Sequence, residues 1–333
     1  MNNWLNLSKE DQILLFEQIG AKTGLPPFSI EKDAWVTLVL RMLFNSEIRN
    51  HIVFKGGTSL SKAFGLIQRF SEDIDFSISR DYLGFEEPLT KGEIRKLRRA
   101  SHHFSVQKLP EILQKSLADY GINNDLFKIV VPNLKISDQD PEIVQVNYLS
   151  VFTGDNYLQS RVLIEMGARS LTLPAEERSI QSMIDTHFPE SEFTEKQFAV
   201  RAVIPEKTFL EKLILLHEEF QKDPDKIKYL RMSRHLYDIY QIIKTDFGKK
   251  ALMDQVLFNN ICKHREMLTP VKKVNYRKLT INNLDFLPPG QLVDLYRSDY
   301  KEMQTTMIFG DSPDFDTLLE DITKYFKEYL VNR

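Results

Sequence analysis

Two aspartates separated by one residue, Asp73 and Asp75, are the side chains in this sequence best suited to bind a metal ion. They fall in residues 71–78, where polar and apolar residues alternate at the period of a β-strand, so both carboxylates lie on one face. Ile74 and Phe76 point to the opposite face and fix the strand in a core. Adjacent carboxylates on a rigid element favour hard divalent cations, with Mg²⁺ expected and Mn²⁺ as the alternative. The competing interpretation is a solvated face of an edge strand.

A glycine-rich turn precedes these acids. A short apolar run typical of a buried strand ends at Phe54. Gly56 and Gly57 follow it and form a turn whose backbone can approach a ligand closely. Thr58 and Ser59 add hydroxyl groups. A helix predicted over about residues 60–67 would direct the N–H groups of its first turn at this position, which favours a bound phosphate. The pattern predicts that these four residues bind the phosphates of a nucleotide.

A third acid, Glu165, interrupts the apolar run 162–166, which is predicted to be a strand. A carboxylate in such a strand is costly to bury without a cation or a hydrogen-bond donor as its partner. Glu165 is therefore the candidate third carboxylate of a metal site. The alternative is a structural ion pair with Arg161 or Arg169.

Several segments of the chain, taken together and in order, belong to a pattern found in one protein family. They are residues 30–33, 35–36, 55–60, 69–75, 211–213 and 233–238. These segments resemble the AbiEii/AbiGii toxin group of the polymerase-β-like nucleotidyltransferases. The resemblance extends over roughly residues 30 to 240, and its most specific part runs from Gly56 to Phe76.

This resemblance implies a fold, an activity and a biological setting. The expected fold class is α+β, with a polymerase-β-like nucleotidyltransferase domain built on a mixed β-sheet and a mainly helical C-terminal domain. The expected reaction is metal-dependent transfer of a nucleotide from a nucleoside triphosphate (NTP) to an RNA, transfer RNA included, or to a protein. Family members are commonly toxins of toxin–antitoxin pairs, some implicated in abortive infection by phage. A cognate antitoxin encoded nearby is the expected partner.

The resemblance also assigns Lys212 and Asp238 to the catalytic site. Lys212 lies off the apolar stripe of its predicted helix, so we expect its ammonium to be accessible and to contact the triphosphate as a point charge. Asp238 would orient this lysine. The alternatives are a solvated lysine, and an ion pair between Asp238 and Arg234 one helical turn away.

Length and periodicity predict two domains in this chain of 333 residues. Strand-like patterns end at Pro205 and helical ones dominate beyond it, so the predicted domains are 1–205 and 206–333. The chain is 42% hydrophobic and 27% charged, which is the composition of a folded globular protein.

Cysteine content and hydropathy exclude several classes of protein. With Cys262 as its single cysteine, the chain has no intrachain disulfide and no cysteine-based zinc site. No run approaches the ~20 apolar residues that span a bilayer, and the N-terminus has no apolar signal core. We therefore expect a cytoplasmic protein with no membrane partner.

Two basic segments stand out against a net charge of -3. The first contains Lys91, Arg95, Lys96, Arg98 and Arg99, followed by two histidines. The second runs through residues 263–278 and contains six lysines and arginines. Each segment is either a surface for an RNA backbone or an ordinary solvated face.

Two other classes of function use the same residues. A catalytically idle protein that binds nucleotide or RNA and acts through a partner would need the turn without the full set of acids. A two-metal nuclease would need the acids without the turn. The presence of both motifs favours nucleotide transfer.

Overall fold

A computed structural model describes residues 3–70, 73–86, 88–135, 140–152 and 159–331. The signature residues Ser71 and Glu72 lie outside these ranges. The chain divides into two compact units. The first contains Met1–Ala63 and Ser71–Val203, and the second contains Phe64–Phe70 and Ile204–Arg333.

A seven-stranded mixed sheet forms the centre of the first unit. Its strands are β1 (Ile52–Lys55), β2 (Asp73–Ile78), β3 (Phe127–Val130), β4 (Glu142–Tyr148), β5 (Arg161–Gly167), β6 (Ala175–Ile180) and β7 (Phe198–Val203). They are ordered β3-β4-β5-β2-β1-β7-β6. The β2/β5 and β1/β7 pairs are parallel, and the other pairs are antiparallel. The strands nearest the centre of the sheet therefore include β2 and β5, which carry the predicted acids.

Six α-helices belong to the described part of this unit. They are α1 (Lys9–Thr23), α2 (Pro27–Phe44), α3 (Gly56–Lys62), α4 (Lys91–His103), α5 (Leu109–Asp119) and α6 (Met183–His187). Helix α2 packs on the sheet through aromatic contacts: Trp35 stacks on Tyr148 at 4.9 Å between ring centroids, and Phe44 contacts Phe76. The apolar face of β2 is fully buried beneath these helices. This burial holds the opposite face of the strand in a defined position.

The second unit is built mainly of helices, with no β-strand among its described residues. Its α-helices are α7 (Pro205–Phe220), α8 (Ser233–Ile243), α9 (Asp246–Met253), α10 (Gln255–Leu268), α11 (Val293–Thr306) and α12 (Phe315–Val331). The segment Phe64–Phe70 belongs to this unit although it lies between α3 and β2 in sequence. The backbone holds it there, because the Phe70 N–H donates to the Met307 carbonyl at 2.7 Å and the Phe309 N–H donates to the Gln68 carbonyl at 3.0 Å.

The predicted fold class is confirmed, since a mixed sheet is followed by a helical C-terminal region. One local prediction is corrected. Helix α3 begins at Gly56 and ends at Lys62, earlier than the predicted range of about 60–67. Strand β6 has the sequence AEERSI, which carries three charges and no apolar alternation, and pairing with β7 forms it. None of the described helices is long and apolar enough to cross a membrane.

Candidate functional site

Asp73, Asp75 and Glu165 lie together on one face of the sheet. In the parallel pair of β2 and β5, Asp75 is the register partner of Glu165 and Asp73 is that of Leu163. All three carboxylates are half-buried, whereas Ile74 and its neighbours on the other face are fully buried. The structure thus brings the three predicted acids side by side, on adjacent strands.

Lys55 completes this row of residues, although sequence reasoning gave it no role. It ends β1, where it is the register partner of Asp75 on the side away from Glu165. The positive charge of Lys55 opposes the rise in the pKa of Glu165 that burial and the neighbouring acids cause. The position of Lys55 directly before Gly56 and Gly57 is the feature of the sequence from which its place beside the acids could have been predicted.

The glycine turn packs against the Asp75 carboxylate. Gly56 has a φ of 77°, and a Cβ placed on it would overlap the carboxylate oxygen of Asp75. A residue with a side chain is therefore excluded at this position both by conformation and by space. The turn and the acids form one continuous structure.

The hydroxyl groups at the start of α3 differ in what they contact. Thr58 Oγ1 donates to the backbone carbonyl of Asp73 at 2.5 Å and so ties the helix to β2. Ser59 Oγ is buried and has no hydrogen-bond partner among the residues that the structure describes. A buried hydroxyl without a partner loses about 1–3 kcal/mol, which a ligand oxygen can restore.

Burial and the neighbouring acids both act on the pKa of Glu165. Burial raises the pKa of Glu165 to about 7, with further increases from the charges of Asp75 and Asp73 and from a hydrogen bond to Asp75. The predicted alternative, an ion pair with an arginine, is not found within the described residues. Arg169 instead pairs with Asp140 at 3.2 Å.

Three carboxylates are the right donor set for a hard divalent cation. Within the described ranges, no group of three or more His, Cys, Asp or Glu side chains is already arranged around one ion. Asp75 and Glu165 are register partners on adjacent strands, and a cation between them would offset the repulsion of their charges, so the residues fit the group.

Lys212 and Asp238 lie together in the helical unit, but Lys212 is not the accessible lysine that its position off the apolar stripe predicted. Lys212 is buried, and its ammonium lies 2.8 Å from Asp238 Oδ2. Asp238 is fully buried and also accepts two hydrogen bonds from Arg69, each 2.7 Å long. The expected contact between Asp238 and Lys212 is present, whereas Arg69 was missed as a partner because it is remote in sequence.

The charges of this cluster compensate one another. Burial would raise the pKa of Asp238, but Arg69 and Lys212 outweigh that effect and hold it below its usual range. Burial and the neighbouring cations hold the pKa of His235 well below its usual value, so the imidazole is neutral. Its Nδ1 lies 3.4 Å from the Lys212 ammonium.

The acidic start of α2 has a structural role. Glu31 is 2% exposed and accepts hydrogen bonds from Ser150 Oγ at 2.6 Å and from the Val151 N–H at 2.8 Å. Asp33 pairs with Lys62 at the end of α3. The Asp33–Lys62 pair holds α3 against α2, and the Glu31 contacts hold the segment after β4 against α2.

Comparison with known proteins identifies a family for this chain. The family model described as nucleotidyl transferase AbiEii toxin, type IV toxin–antitoxin system, matches residues 38–321. Among solved structures, MenT4, a nucleotidyltransferase toxin from Mycobacterium tuberculosis H37Rv, is 14% identical, with a TM-score of 0.47 over 93% of this chain and 97% of that one. JHP933 from Helicobacter pylori is 16% identical, with a TM-score of 0.39 over 92% and 98%. No curated protein matches the chain.

The family match covers well over half of the sequence and confirms the resemblance first suggested by the signature around Asp73 and Asp75. The chain belongs to the AbiEii nucleotidyltransferase toxins of type IV toxin–antitoxin systems.

Proposed function

We propose that this protein transfers a nucleoside monophosphate from an NTP to a hydroxyl group of an RNA, with transfer RNA as one candidate acceptor and a protein as the alternative. The acceptor oxygen forms a bond to the α-phosphorus, and the bond from that phosphorus to the bridging oxygen breaks, so that pyrophosphate leaves. The observation that carries the proposal is the register of Asp75 with Glu165 beside the Gly56 turn.

The three acids are proposed to hold the metal. Asp73, Asp75 and Glu165 would bind Mg²⁺, or Mn²⁺ in its place, through their carboxylate oxygens. A bound divalent cation neutralises charge on the phosphate oxygens during transfer. The rigid strands β2 and β5 fix the positions of these carboxylates, so little reorganisation is needed when the substrate arrives.

The turn is proposed to hold the triphosphate. The backbones of Gly56 and Gly57 come close enough to the acids to place a phosphate beside them, because position 56 has no side chain. The unpartnered Ser59 hydroxyl would donate to a phosphate oxygen, and Thr58 would keep α3 fixed to β2.

Glu165 is proposed to hold the acceptor hydroxyl in line with the α-phosphorus. A divalent cation at its carboxylate would ease the loss of the hydroxyl proton.

Lys212 and Asp238 remain in the proposal as a second group needed for transfer. Lys212 would contact the triphosphate as a point charge, and Asp238 would hold it in position through the ion pair at 2.8 Å. Because the ammonium is buried and already paired, we expect its loss to weaken transfer less than the loss of Asp73.

One assay tests the proposal. The protein is incubated with each of the four labelled NTPs, Mg²⁺ and total RNA, with the Asp73→Asn variant as the matched control. Label in the RNA with wild type alone supports transfer. Shortened RNA would instead indicate a nuclease. Retention of nucleotide or RNA without chemistry would indicate the idle binding protein, and either result would overturn the proposal.

The family implies a cognate antitoxin as the partner. We propose that transfer to RNA is the toxic event, with phage defence as its setting. Co-expression with the neighbouring gene product should relieve growth arrest caused by wild type, and the Asp73→Asn variant should cause no arrest.

A further inference from the structure

Helix α4 carries a line of basic side chains that the proposed reaction does not use. Lys91, Arg95, Arg99 and His103 follow one another at intervals of four residues, so they lie along one side of the helix about 6 Å apart. All four are exposed, and so is the neighbouring Lys96. The lysines and the two arginines of this set therefore present positive charge to solvent along the helix.

The basic side chains of this row are not in ion pairs. Across the described ranges, Lys91, Arg95, Lys96 and Arg99 make no such contact. Glu93, the single acid of the helix, accepts hydrogen bonds from the Thr90 N–H at 2.7 Å and from the Thr90 hydroxyl at 2.6 Å. This capping box begins the helix, and the charge of Lys96 acts on Glu93 without an ion pair between them.

Helix α4 is packed against the rest of the first unit. Its apolar side chains Ile94 and Leu97 are buried, and its C-terminal turn is tied to the sheet by His102, which lies 2.8 Å from Glu142. Arg95 and Arg99 therefore project from an element whose opposite side is packed.

The second basic segment behaves differently. Half of its six lysines and arginines are paired with acids: Arg265 with Glu218, Lys273 with Asp223 at 2.5 Å, and Arg277 with Glu266 at 3.0 Å. The other three are Lys263, Lys272 and Lys278. These lie on α10, in a turn and in a 3₁₀-helix, so they share no single helix side. In sequence the second basic segment looked equivalent to that of α4. In the structure half of its basic side chains are paired with acids, and the others do not lie along one helix.

We infer that the exposed face of α4 formed by Lys91, Arg95, Lys96, Arg99 and His103 binds the phosphate backbone of the RNA acceptor. The inference rests on the proposed function and adds a surface to it. In a protein with a net charge of -3, local charge of this kind is what attracts an RNA backbone. Contacts to phosphates do not distinguish one base from another. This surface would therefore contribute affinity for RNA, and any preference for a base sequence would come from other contacts.

Other anionic partners fit this face less well. A helix that lies on a membrane needs apolar side chains on its outer side, and those of α4, Ile94 and Leu97, are buried. A protein interface has an apolar or aromatic centre, which this row of charges lacks.

The position of α4 predicts which acceptors need it. Glu142, which holds His102, is the register partner of Met166 and so shares the buried face of the sheet, opposite to Glu165. Helix α4 is therefore attached on the face away from the carboxylates. An acceptor must be long enough to extend around the sheet to use both surfaces, and a short oligonucleotide would reach the acids alone.

The test compares two triple variants of the full chain, each removing three positive charges. Lys91→Gln/Arg95→Gln/Arg99→Gln removes the line. Lys263→Gln/Lys272→Gln/Lys278→Gln removes exposed lysines of the second segment that make no ion pair with any described residue. Unfractionated transfer RNA, a short single-stranded oligonucleotide with the same 3′ end, and phosphatidylserine vesicles are the probes. Both variants should melt at the wild-type temperature because every replaced side chain is exposed.

We expect the α4 variant to bind transfer RNA about tenfold more weakly and to lose about 2 to 3 from the slope of log affinity against log salt concentration. The control variant should change the affinity by less than about twofold. Transfer to the short oligonucleotide should be the same in both variants. Equal losses in the two variants, no loss in either, or binding of vesicles in preference to RNA would overturn the inference.

RNA binding is measured without NTP, so this inference and the proposed function can fail separately. Binding of RNA through α4 without nucleotide transfer would refute the proposed activity but support the RNA-binding role of α4. Nucleotide transfer with RNA binding that does not depend on α4 would support the activity but refute the role of α4.

Discussion

The acids of the sheet and the buried charges around Asp238 differ in the groups that surround them. Asp73, Asp75 and Glu165 share one half-buried face, where burial and then the charges of Asp75 and Asp73 raise the pKa of Glu165 to about 7. Asp238 is fully buried, yet Arg69 and Lys212 hold its pKa below the usual range. Acids that repel one another on a rigid element are suited to an external cation, and charges compensated in place are suited to holding the fold.

The largest effect should come from removing a charge on the sheet. Asp73→Asn or Asp75→Asn should lower nucleotide transfer by about 10³-fold, because each removes a metal-binding carboxylate. The melting temperature should hold or rise, since repulsion between neighbouring acids is relieved. Transfer assays with Mg²⁺, paired with thermal melts, measure both. Near wild-type transfer in either variant would show that the replaced aspartate is not a metal ligand. The contrast between the acids of the sheet and the charges around Asp238 would then be wrong.

In the helical unit the same kind of substitution should act on stability. Asp238→Asn leaves two buried cations without their partner and should destabilise the protein by about 3–5 kcal/mol. Lys212→Met is the matched control, because the remaining Arg69–Asp238 pair is still balanced, and it should cost only about 1–2 kcal/mol. Urea denaturation measures both.

Equal losses of stability in these two variants would show that two buried cations without a partner cost no more than one lost ion pair. Charge balance would then not explain the stability of the cluster. Transfer measured at low temperature, where both variants are folded, tests the proposed catalytic role of Lys212 separately. Full specific activity of Lys212→Met would remove Lys212 from the site.

A third variant tests whether the turn and the acids are one structure. Gly56→Ala introduces a Cβ at a φ of 77° and against the Asp75 carboxylate, so it should destabilise the fold by about 1–3 kcal/mol and displace Asp75. Gly65→Ala is the control, because Gly65 has a φ of 63° and open space around its Cβ position. Transfer should fall in the first variant and persist in the second. A similar fall in both would assign the effect to backbone strain alone.

The smallest effect concerns pH. The pKa of Glu165 is raised in the folded state from 4.5 to about 7, so the folded protein keeps this proton over a range in which the unfolded chain has lost it. Without divalent cations, stability should therefore decline as pH rises from about 4.5 to about 7, by about 1–2 kcal/mol once solvent screening is allowed for. Chemical denaturation in EDTA across this range measures the decline.

Glu165→Gln should flatten that part of the profile, and Mg²⁺ should restore the stability of wild type at higher pH but not that of the variant. A decline of the same size in the variant would assign the titration to another group.

The sequence alone determined the parts of this protein that local pattern controls. The alternation around Asp73 and Asp75 set both acids on one face, because side chains of a strand alternate with a period of two. Gly56 marked a position that only glycine can occupy. The mixed sheet and the helical C-terminal region also followed from periodicity and from the family signature.

Tertiary structure alone decided which distant residues meet. The register of Asp75 with Glu165 depends on strand pairing across a long stretch of chain. The lysine at position 212 looked accessible because its helix pattern is local, whereas its burial depends on Asp238 and on Arg69, which arrives from the segment Phe64–Phe70. Buried charge is stable only where partners converge, and that convergence is a property of the folded chain.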